Sequence, residues 1–212
     1  MKFLKQMKLP YDEGMMGPMY GYQWRHFNKP YPSSEEQGID QLKKVIEEIK
    51  ADPTSRRIIM TDFNPLQVNQ GVLYPCHSIV IQFYVTECDK KYYVSMSMYQ
   101  RSVDLACGLP FNIASYGLLL EILANEVNMM AEDLIGNLGD VHLYSNHIEQ
   151  AKEQIGREPY KKLPTLNFSP LVLAQFEHHR DTFDDFIKGA QPHQFIIEGY
   201  ESHLPIKATL SN

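Results

Sequence analysis

The chain has 212 residues, of which 43% are hydrophobic and 22% are charged, and its formal net charge is −6. This composition predicts one globular domain over residues 1–212, and the acidic balance argues against a general nucleic-acid or anionic-membrane surface. The apolar runs are shorter than the roughly 20 residues of a membrane helix. Only three cysteines are present, an odd number that argues against a disulfide framework, so we expect a reducing, cytoplasmic compartment.

The first half of the chain predicts one helix and three strands. GIDQLKKVIEEIK, residues 38–50, repeats apolar residues at helical spacing, and Asp52-Pro53 ends the pattern. RRIIMTDF, residues 56–63, is predicted as a strand. HSIVIQFYVT (77–86) and KYYVSMSMYQRS (91–102) are predicted as two more strands, which the short charged turn ECDKK joins.

The next elements are a helix, a short strand and a second helix. NIASYGLLLEILANEV, residues 112–127, is apolar nearly all round and predicts a buried helix. DVHLY, residues 140–144, predicts a short strand. Asn146, with Glu149 three residues later, predicts an N-cap and a capping box for a helix that stops near Pro159.

The last part of the chain predicts an irregular region over residues 161–191 and a final strand, QFIIEGY, over residues 194–200. Strands and helices thus occur together without strict alternation. This order indicates an α+β fold, in which a mixed β-sheet is packed by a long buried helix and by surface helices.

Metal binding finds little support in the sequence. Neither C-x-x-C nor H-E-x-x-H occurs, and His142 and His147, five residues apart, would lie on different faces of a helix or a strand. We therefore expect no metal.

Cys76 lies in YPCHS, directly before the apolar run IVIQFYV. A free cysteine in such a place is often a small buried apolar residue. If the strand starts at Cys76, alternation puts Cys76 and Ser78 on the more polar face and His77 on the other. A dyad of Cys76 with its neighbour His77 is then not expected, so any activation of the thiol must come from elsewhere.

Four other stretches combine polar or aromatic side chains. Arg56-Arg57 stands at a strand entrance and is either a solvated edge or a bidentate phosphate site. Asn112, in YQRSVDLACGLPFNIASY, is either a helix cap or an amide that reads a base edge. His142 and Tyr144, in GDVHLYSNH, alternate onto one face, which suits either a half-buried strand or sugar hydroxyls. MMGPMYGYQWRHF clusters aromatic residues near the N-terminus.

Taken together, these motifs resemble the thymidylate synthase family. The matching stretches are in the family's order and spacing, and they cover nearly the whole chain: GPMYGYQWRHF, SRRIIM, PCH…QFYV, YQRSVDLACGLPFNIASY, GDVHLYSNHIEQAKEQIGREP and FIIEGYESHLPIK. The resemblance implies reductive methylation of dUMP to dTMP, with 5,10-methylenetetrahydrofolate as the co-substrate that supplies both carbon and hydride.

The resemblance also implies catalytic roles. Cys76 is the expected nucleophile that adds to C6 of the uracil. Arg101 is expected to bind the nucleotide phosphate and to support the thiolate, because a nearby guanidinium favours the charged form of a thiol. Tyr20 and His77 are expected in the hydrogen-bond network around the base, and Asn112 at the uracil edge, which favours dUMP over dCMP.

Further binding residues follow from the same resemblance. Arg56 and Arg57 are expected to reach the phosphate in the other subunit's site, which implies a homodimer formed through a sheet face. Asp104, Gly108 and Leu109 are expected on the folate side. The remaining expected dUMP contacts are Gln100, Ser102, Asp104, His142 and Tyr144. No obligate nucleic-acid partner and no membrane are expected.

The resemblance begins late in the chain. The family's N-terminal portion carries a phosphate-binding arginine, a glutamate for proton transfer and a tryptophan beside the folate, and no counterpart is found before Gly17. The sequence leaves open a fragment, a segment supplied by another chain, or a naturally short protein. It also leaves open a dUMP hydroxymethylase, in which water ends the reaction, and a catalytically weak nucleotide-binding homologue.

Overall fold

The computed structural model describes residues 11–12, 14–32, 38–170, 172–174 and 189–211. Its described helices are α1 (Gly21–His26), α2 (Gln41–Ala51), α3 (Leu109–Glu126) and α4 (Ile148–Ile155). The described strands are β1 (Ile59–Met60), β2 (Val80–Cys88), β3 (Lys91–Asp104), β4 (Met130–His142), β5 (Thr165–Phe168) and β6 (Phe195–Glu198). None of the described helices combines the length and apolar character that a membrane crossing requires.

The chain divides into two compact units. The first contains the described residues up to Asp104 together with Gly108–His142, and the second contains Leu105–Cys107 and the described residues from Leu143 onward. The first unit is built on a four-stranded sheet in the order β1-β2-β3-β4. β1, β2 and β3 pair antiparallel, whereas β3 and β4 pair parallel through the crossover helix α3. The predicted α+β fold with a mixed sheet is therefore confirmed.

The two faces of this sheet differ in what covers them. On one face the side chains of Ile81, Phe83, Met96 and Met98 are almost fully buried. β2 alternates as predicted, so its other face exposes Val80 and Tyr84, and the paired strands add Ile59, Tyr99 and Ile135 to that exposed face. The tertiary fold thus covers one face and leaves a row of large apolar side chains on the other.

α2 follows its sequence pattern closely. Asp40 caps it by accepting a hydrogen bond from Lys43 N at 3.0 Å, and Leu42, Val45 and Ile49 are buried on one side. α3 differs from the prediction of a helix buried nearly all round. Its C-terminal part is buried, but its first turns are open, with Phe111 75% exposed.

Two strand predictions were wrong in length. β1 has only two residues, because Arg56 and Arg57 lie in a turn before it. β4 runs over 13 residues instead of the five predicted, and it ends at His142. The exposure of its side chains does not alternate between the two faces. No period-two pattern therefore marks this strand in the sequence.

The second unit corrects two further predictions. Asn146 does not cap α4, because its Oδ1 accepts from Ser211 Oγ at 2.6 Å and its amide donates to Thr209 O at 3.3 Å. The predicted capping box is therefore wrong: a 3₁₀ turn over Ser145–His147 precedes the helix, with no side-chain cap. The region predicted as irregular contains β5, which pairs antiparallel with β6 over four residues.

Candidate active site

Cys76 lies in the loop that leads into β2. Ser78 has a φ of +53°, which breaks the extended backbone, so the strand begins at Val80 and not at Cys76. The prediction that alternation places Cys76 and His77 on opposite faces was therefore wrong. Tyr20 contacts both residues. Cys76 N donates to Tyr20 Oη at 3.3 Å. The rings of Tyr20 and His77 stack with 4.2 Å between their centroids and an interplanar angle of 2°.

One side of Cys76 is open and carries a charge. Arg101 Nη2 lies 3.8 Å from Cys76 Sγ, and Arg101 Nε donates to Pro75 O at 3.1 Å. The guanidinium also sits 5.1 Å above the ring of Tyr74, a cation–π contact. The backbone joins the loop to β3, because Arg101 N donates to Cys76 O at 2.7 Å. The guanidinium beside the thiol thus comes from β3, 25 residues further along the chain.

The sheet next to Arg101 requires a glycine. A Cβ on Gly139 of β4 would come within 2.8 Å of Arg101 O and 3.2 Å of Gln100 O, both backbone atoms that cannot move aside. A side chain at this position would push β4 away from the part of β3 that carries Arg101.

The other side of Cys76 is buried and carries neutral polar groups. His77 Nδ1 hydrogen bonds with Tyr116 Oη. Ser78 Oγ donates to Asp62 Oδ2 at 2.5 Å. Among the described residues, Asp62 Oδ1 has no hydrogen-bond partner although it is buried.

Burial shifts the ionisation of these groups toward their neutral forms. It raises the pKa of Asp62 from 3.8 to about 7, against the opposing effect of the Ser78 hydrogen bond. It lowers the pKa of His77 from 6.5 to about 4. It also raises the pKa of Tyr20 and of Tyr116 well above the ordinary range, so both remain phenols.

Asn112 is oriented by a buried glutamine. Gln100 Nε2 donates to Asn112 Oδ1 at 2.8 Å and to Ser102 O at 3.2 Å. This contact fixes which end of the Asn112 amide faces Gln100. The amide NH₂ and the second lone pair of Oδ1 remain as donor and acceptor for a ligand edge.

The other predicted site residues lie at the ends of elements. Asp104 ends β3, and Gly108 N donates to Asp104 O at 3.1 Å just before Leu109 begins α3. Arg56 and Arg57 are exposed in the turn before β1.

His142 and Tyr144 differ from the sequence prediction. His142 is the last residue of β4, and its Nδ1 lies 3.2 Å from Asp140 O. Tyr144 follows the strand, so the strand alternation that was to place the two side chains on one face does not extend to it. In the second unit Tyr144 makes an edge contact with the His147 ring, with 6.0 Å between the centroids.

The sequence motifs did not single out Asp62, Ser78 and Tyr116. Asp62 is the one acid in the apolar stretch IIMTDF, which is a signal that could have pointed to a buried carboxyl. Tyr116 lay inside the motif PFNIASY but was treated only as part of a buried helix. Asp62 pairs with Ser78 and Tyr116 pairs with His77 across separate segments, and no local pattern reports either contact.

Comparison with known proteins gives concordant matches. The sequence model of the family described as thymidylate synthase matches residues 3–212. A thymidylate synthase from Homo sapiens is 42% identical over 204 residues, which are 94% of this chain and 59% of the relative. A bifunctional dihydrofolate reductase-thymidylate synthase from Paramecium tetraurelia is 39% identical over 204 residues, 94% of this chain and 40% of the relative. The chain thus spans about half the length of these relatives.

Proposed function

The chain belongs to the thymidylate synthase family, and on that premise we propose that it catalyses the reductive methylation of dUMP to dTMP with 5,10-methylenetetrahydrofolate. The observation that carries the proposal is the surroundings of Cys76. A guanidinium lies 3.8 Å from the thiol on one side, and a stacked Tyr20–His77 pair lies on the other. The two relatives are described as a thymidylate synthase and a bifunctional enzyme with that activity.

In the proposed first step the Cys76 thiolate adds to C6 of the uracil ring. The new S–C6 bond moves the ring π electrons onto C5 and O4, so C5 becomes an enolate carbon. That carbon attacks the methylene carbon of the folate iminium, and the π electrons of its C=N bond move onto the folate nitrogen. Arg101 favours the thiolate through its positive charge and also binds the nucleotide phosphate, together with Ser102.

In the proposed second step C5 loses its proton and the C–N bond to tetrahydrofolate breaks, which leaves an exocyclic methylene on C5. Hydride transfer from tetrahydrofolate then reduces this methylene to a methyl group as the S–C6 bond breaks. The products are dTMP, dihydrofolate and free Cys76. We place Asp104, Gly108 and Leu109 on the folate side of this reaction, at the turn where β3 meets α3.

Substrate choice is proposed to depend on Asn112. Uracil presents N3–H as a donor and O4 as an acceptor, and an amide can satisfy both at once. The hydrogen bond from Gln100 supports this role, because it holds the amide in one orientation. We assign the deoxyribose hydroxyl to His142 and Tyr144, and retain Gln100 as the residue that shapes the base site.

We also propose that the protein acts as a homodimer through the exposed face of its sheet. Tyr84 is 64% exposed and Ile59 is 52% exposed there, although both lie in regular strands. Arg56 and Arg57 directly precede Ile59, and Gln82 Nε2 of the same face donates to Arg56 O at 3.3 Å. Two such faces in contact would bring each arginine pair toward the other subunit.

Sedimentation tests the dimer. We expect wild-type protein to sediment as a dimer and Tyr84→Lys to sediment as a monomer, because a buried lysine without a partner is costly. The matched control is Tyr200→Lys, an exposed tyrosine of the second unit, which should leave the dimer intact. A monomeric wild-type chain with full activity would contradict the dimer proposal.

Product analysis tests the reaction itself. Protein incubated with dUMP and methylenetetrahydrofolate should yield dTMP and dihydrofolate, and with 5-fluoro-dUMP it should form a covalent adduct on Cys76 that intact-protein mass spectrometry detects. Cys76→Ala should form none, whereas the control Cys88→Ala should form as much as wild type. Hydroxymethyl-dUMP with tetrahydrofolate would replace the synthase proposal by a hydroxymethylase, and absence of both adduct and product would refute it.

A further inference from the structure

Ser78 marks a break in register between the Cys76 loop and β3. Val80 pairs with Tyr99, so an uninterrupted β2 would place Ser78 opposite Arg101. Instead, Arg101 N donates at 2.7 Å to the carbonyl oxygen of Cys76, two residues earlier in the chain. The positive φ of Ser78 accompanies this shift, in the manner of a β-bulge that redirects a side chain. The kink at Ser78 therefore puts Cys76 beside Arg101.

The kink has a conformation that serine does not favour. A φ of +53° lies in the left-handed region, where the Cβ of an ordinary residue crowds the backbone. A residue other than glycine keeps such an angle where its surroundings hold it there. Ser78 is fully buried, so the groups that hold it belong to the fold.

Asp62, two residues after β1, holds Ser78 at two points. Asp62 N donates to Ser78 O at 3.0 Å, and Ser78 Oγ donates to Asp62 Oδ2 at 2.5 Å. One residue thus fixes both the carbonyl group and the side chain of Ser78. Asp62 is only 1% exposed, so water does not compete for these bonds. The neighbouring Thr61 adds a third contact, because its Oγ1 donates to Ile79 O at 2.5 Å.

We propose that Asp62 is a positioning residue, whose two hydrogen bonds to Ser78 hold the kink that keeps the Cys76 thiol beside the Arg101 guanidinium. Asp62 acts through the backbone of the loop. The contact that depends on it is the one between Arg101 Nη2 and Cys76 Sγ, at 3.8 Å. Its use in catalysis rests on the proposed function, in which Cys76 attacks the uracil as a thiolate that Arg101 supports.

This role needs the shape of the Asp62 side chain and not its charge. Burial raises the pKa of Asp62 to about 7, so the carboxyl is partly protonated near neutral pH. A carboxylate oxygen and the carbonyl oxygen of a neutral acid can both accept from Ser78 Oγ. An asparagine at this position has an amide oxygen that can accept the same bond, whereas an alanine has no acceptor.

The test measures alkylation of Cys76 by iodoacetamide, in the full chain and without substrate, followed by peptide mass mapping. Asp62→Ala should slow this reaction about two- to tenfold, the range expected for the loss of one neutral hydrogen bond. The conservative variant Asp62→Asn should react close to the wild-type rate. Cys88, which is exposed at the end of β2, is the internal control and should react equally in all variants.

Two double variants separate positioning from a general loss of stability. Adding Asp62→Ala to Arg101→Ala should cause no further slowing, because Asp62 acts only through the contact that Arg101→Ala has already removed. Adding Ser78→Gly to Asp62→Ala should restore most of the wild-type rate, because glycine adopts a positive φ without being held.

Three results would each overturn the proposal. They are a wild-type rate at Cys76 in Asp62→Ala, effects of Asp62→Ala and Arg101→Ala that multiply in the double variant, and no recovery on adding Ser78→Gly. If Asp62→Ala fails to fold, Ser78→Ala replaces it in the comparison with Arg101→Ala, because it removes the same hydrogen bond from the other partner. Failure of the proposed reaction would show in the product analysis and would leave these alkylation rates unchanged, so the two proposals fail separately.

Discussion

Polar side chains lie on two sides of Cys76, and they are charged on one side and neutral on the other. On the open side, Arg101 presents a full positive charge 3.8 Å from the sulfur. On the buried side, Tyr20, His77 and Tyr116 are all driven toward their neutral forms by burial. Solvent can stabilise a charge only on the first side, so the fold places the permanent cation there and keeps hydrogen bonds without charge on the second.

This contrast separates two tasks at one residue. The open side can attract an anion and favour a thiolate, since it presents the guanidinium of Arg101. The buried side can orient groups through hydrogen bonds, since burial keeps its members in their neutral forms. Each substitution below removes one group from the buried side, from the open side or from the contact between them.

The largest effect is expected from removing the buried carboxyl. Asp62 has a raised pKa in the folded state, so its contribution to stability is full below pH 3.8 and is lost as pH rises to about 7. His77 has a lowered pKa, so its contribution is full above pH 6.5 and is lost as pH falls to about 4. Between pH 4 and 6.5 the two contributions oppose each other and cancel.

Asp62→Asn should therefore expose the slope of His77 alone. Relative to wild type, its free energy of unfolding should rise by about 1.4 kcal/mol per pH unit between pH 4 and 6.5. Urea unfolding at pH steps across that window measures it, and His77→Gln should show the opposite slope. A difference between Asp62→Asn and wild type that does not change with pH would mean that the folded-state carboxyl is not protonated in this window.

A smaller effect is expected from removing the charge on the open side. Arg101→Ala should slow alkylation of Cys76 by iodoacetamide about 10- to 100-fold, because an interaction with a charged group contributes roughly 1.5–3 kcal/mol. Peptide mass mapping separates Cys76 from Cys88 and Cys107. The control is Arg157→Ala, which removes an arginine of the second unit and should react at the wild-type rate. Equal rates for both variants would show that Arg101 does not support the thiolate.

The smallest effect is expected at the contact between the two sides. Tyr20→Phe keeps the ring that stacks on His77 but removes the Oη that accepts from Cys76 N. One neutral hydrogen bond contributes about 0.5–1.5 kcal/mol, so formation of the 5-fluoro-dUMP adduct should slow about two- to tenfold. Tyr22→Phe, two residues further along in α1, is the matched control. A slowing well beyond about tenfold would exceed one neutral hydrogen bond and would assign Tyr20 more than a positioning contact.

Much of the fold was predictable because its signals are local. α2 follows from apolar residues at helical spacing and from Asp40 at its start, and β2 shows the expected alternation from Val80 onward. β4 was largely missed because it pairs parallel with β3 and carries no alternating pattern. The capping box at Asn146 failed because Thr209 and Ser211, more than 60 residues away, use that side chain instead.

The candidate site divides in the same way. Cys76, Arg101 and Asn112 could be singled out from motifs, and the motifs also suggested a family, because residue types at fixed spacing are visible in one dimension. The side chains that surround these three residues could not be predicted in this way. Alternation failed at Cys76 because a single positive φ at Ser78 interrupts the strand, and a sequence pattern does not report one backbone angle.

The sequence by itself therefore determined α2, the strands β2 and β3 and the core face of β2, and it marked candidate residues for the site, since each depends on side-chain identity and local spacing. Tertiary structure decided their environment. It brought Asp62, Ser78 and Tyr116 behind His77, left Arg101 in the open, and excluded water from one side of Cys76. Burial sets whether a group is charged, and burial is a property of segments that meet only when the chain is folded.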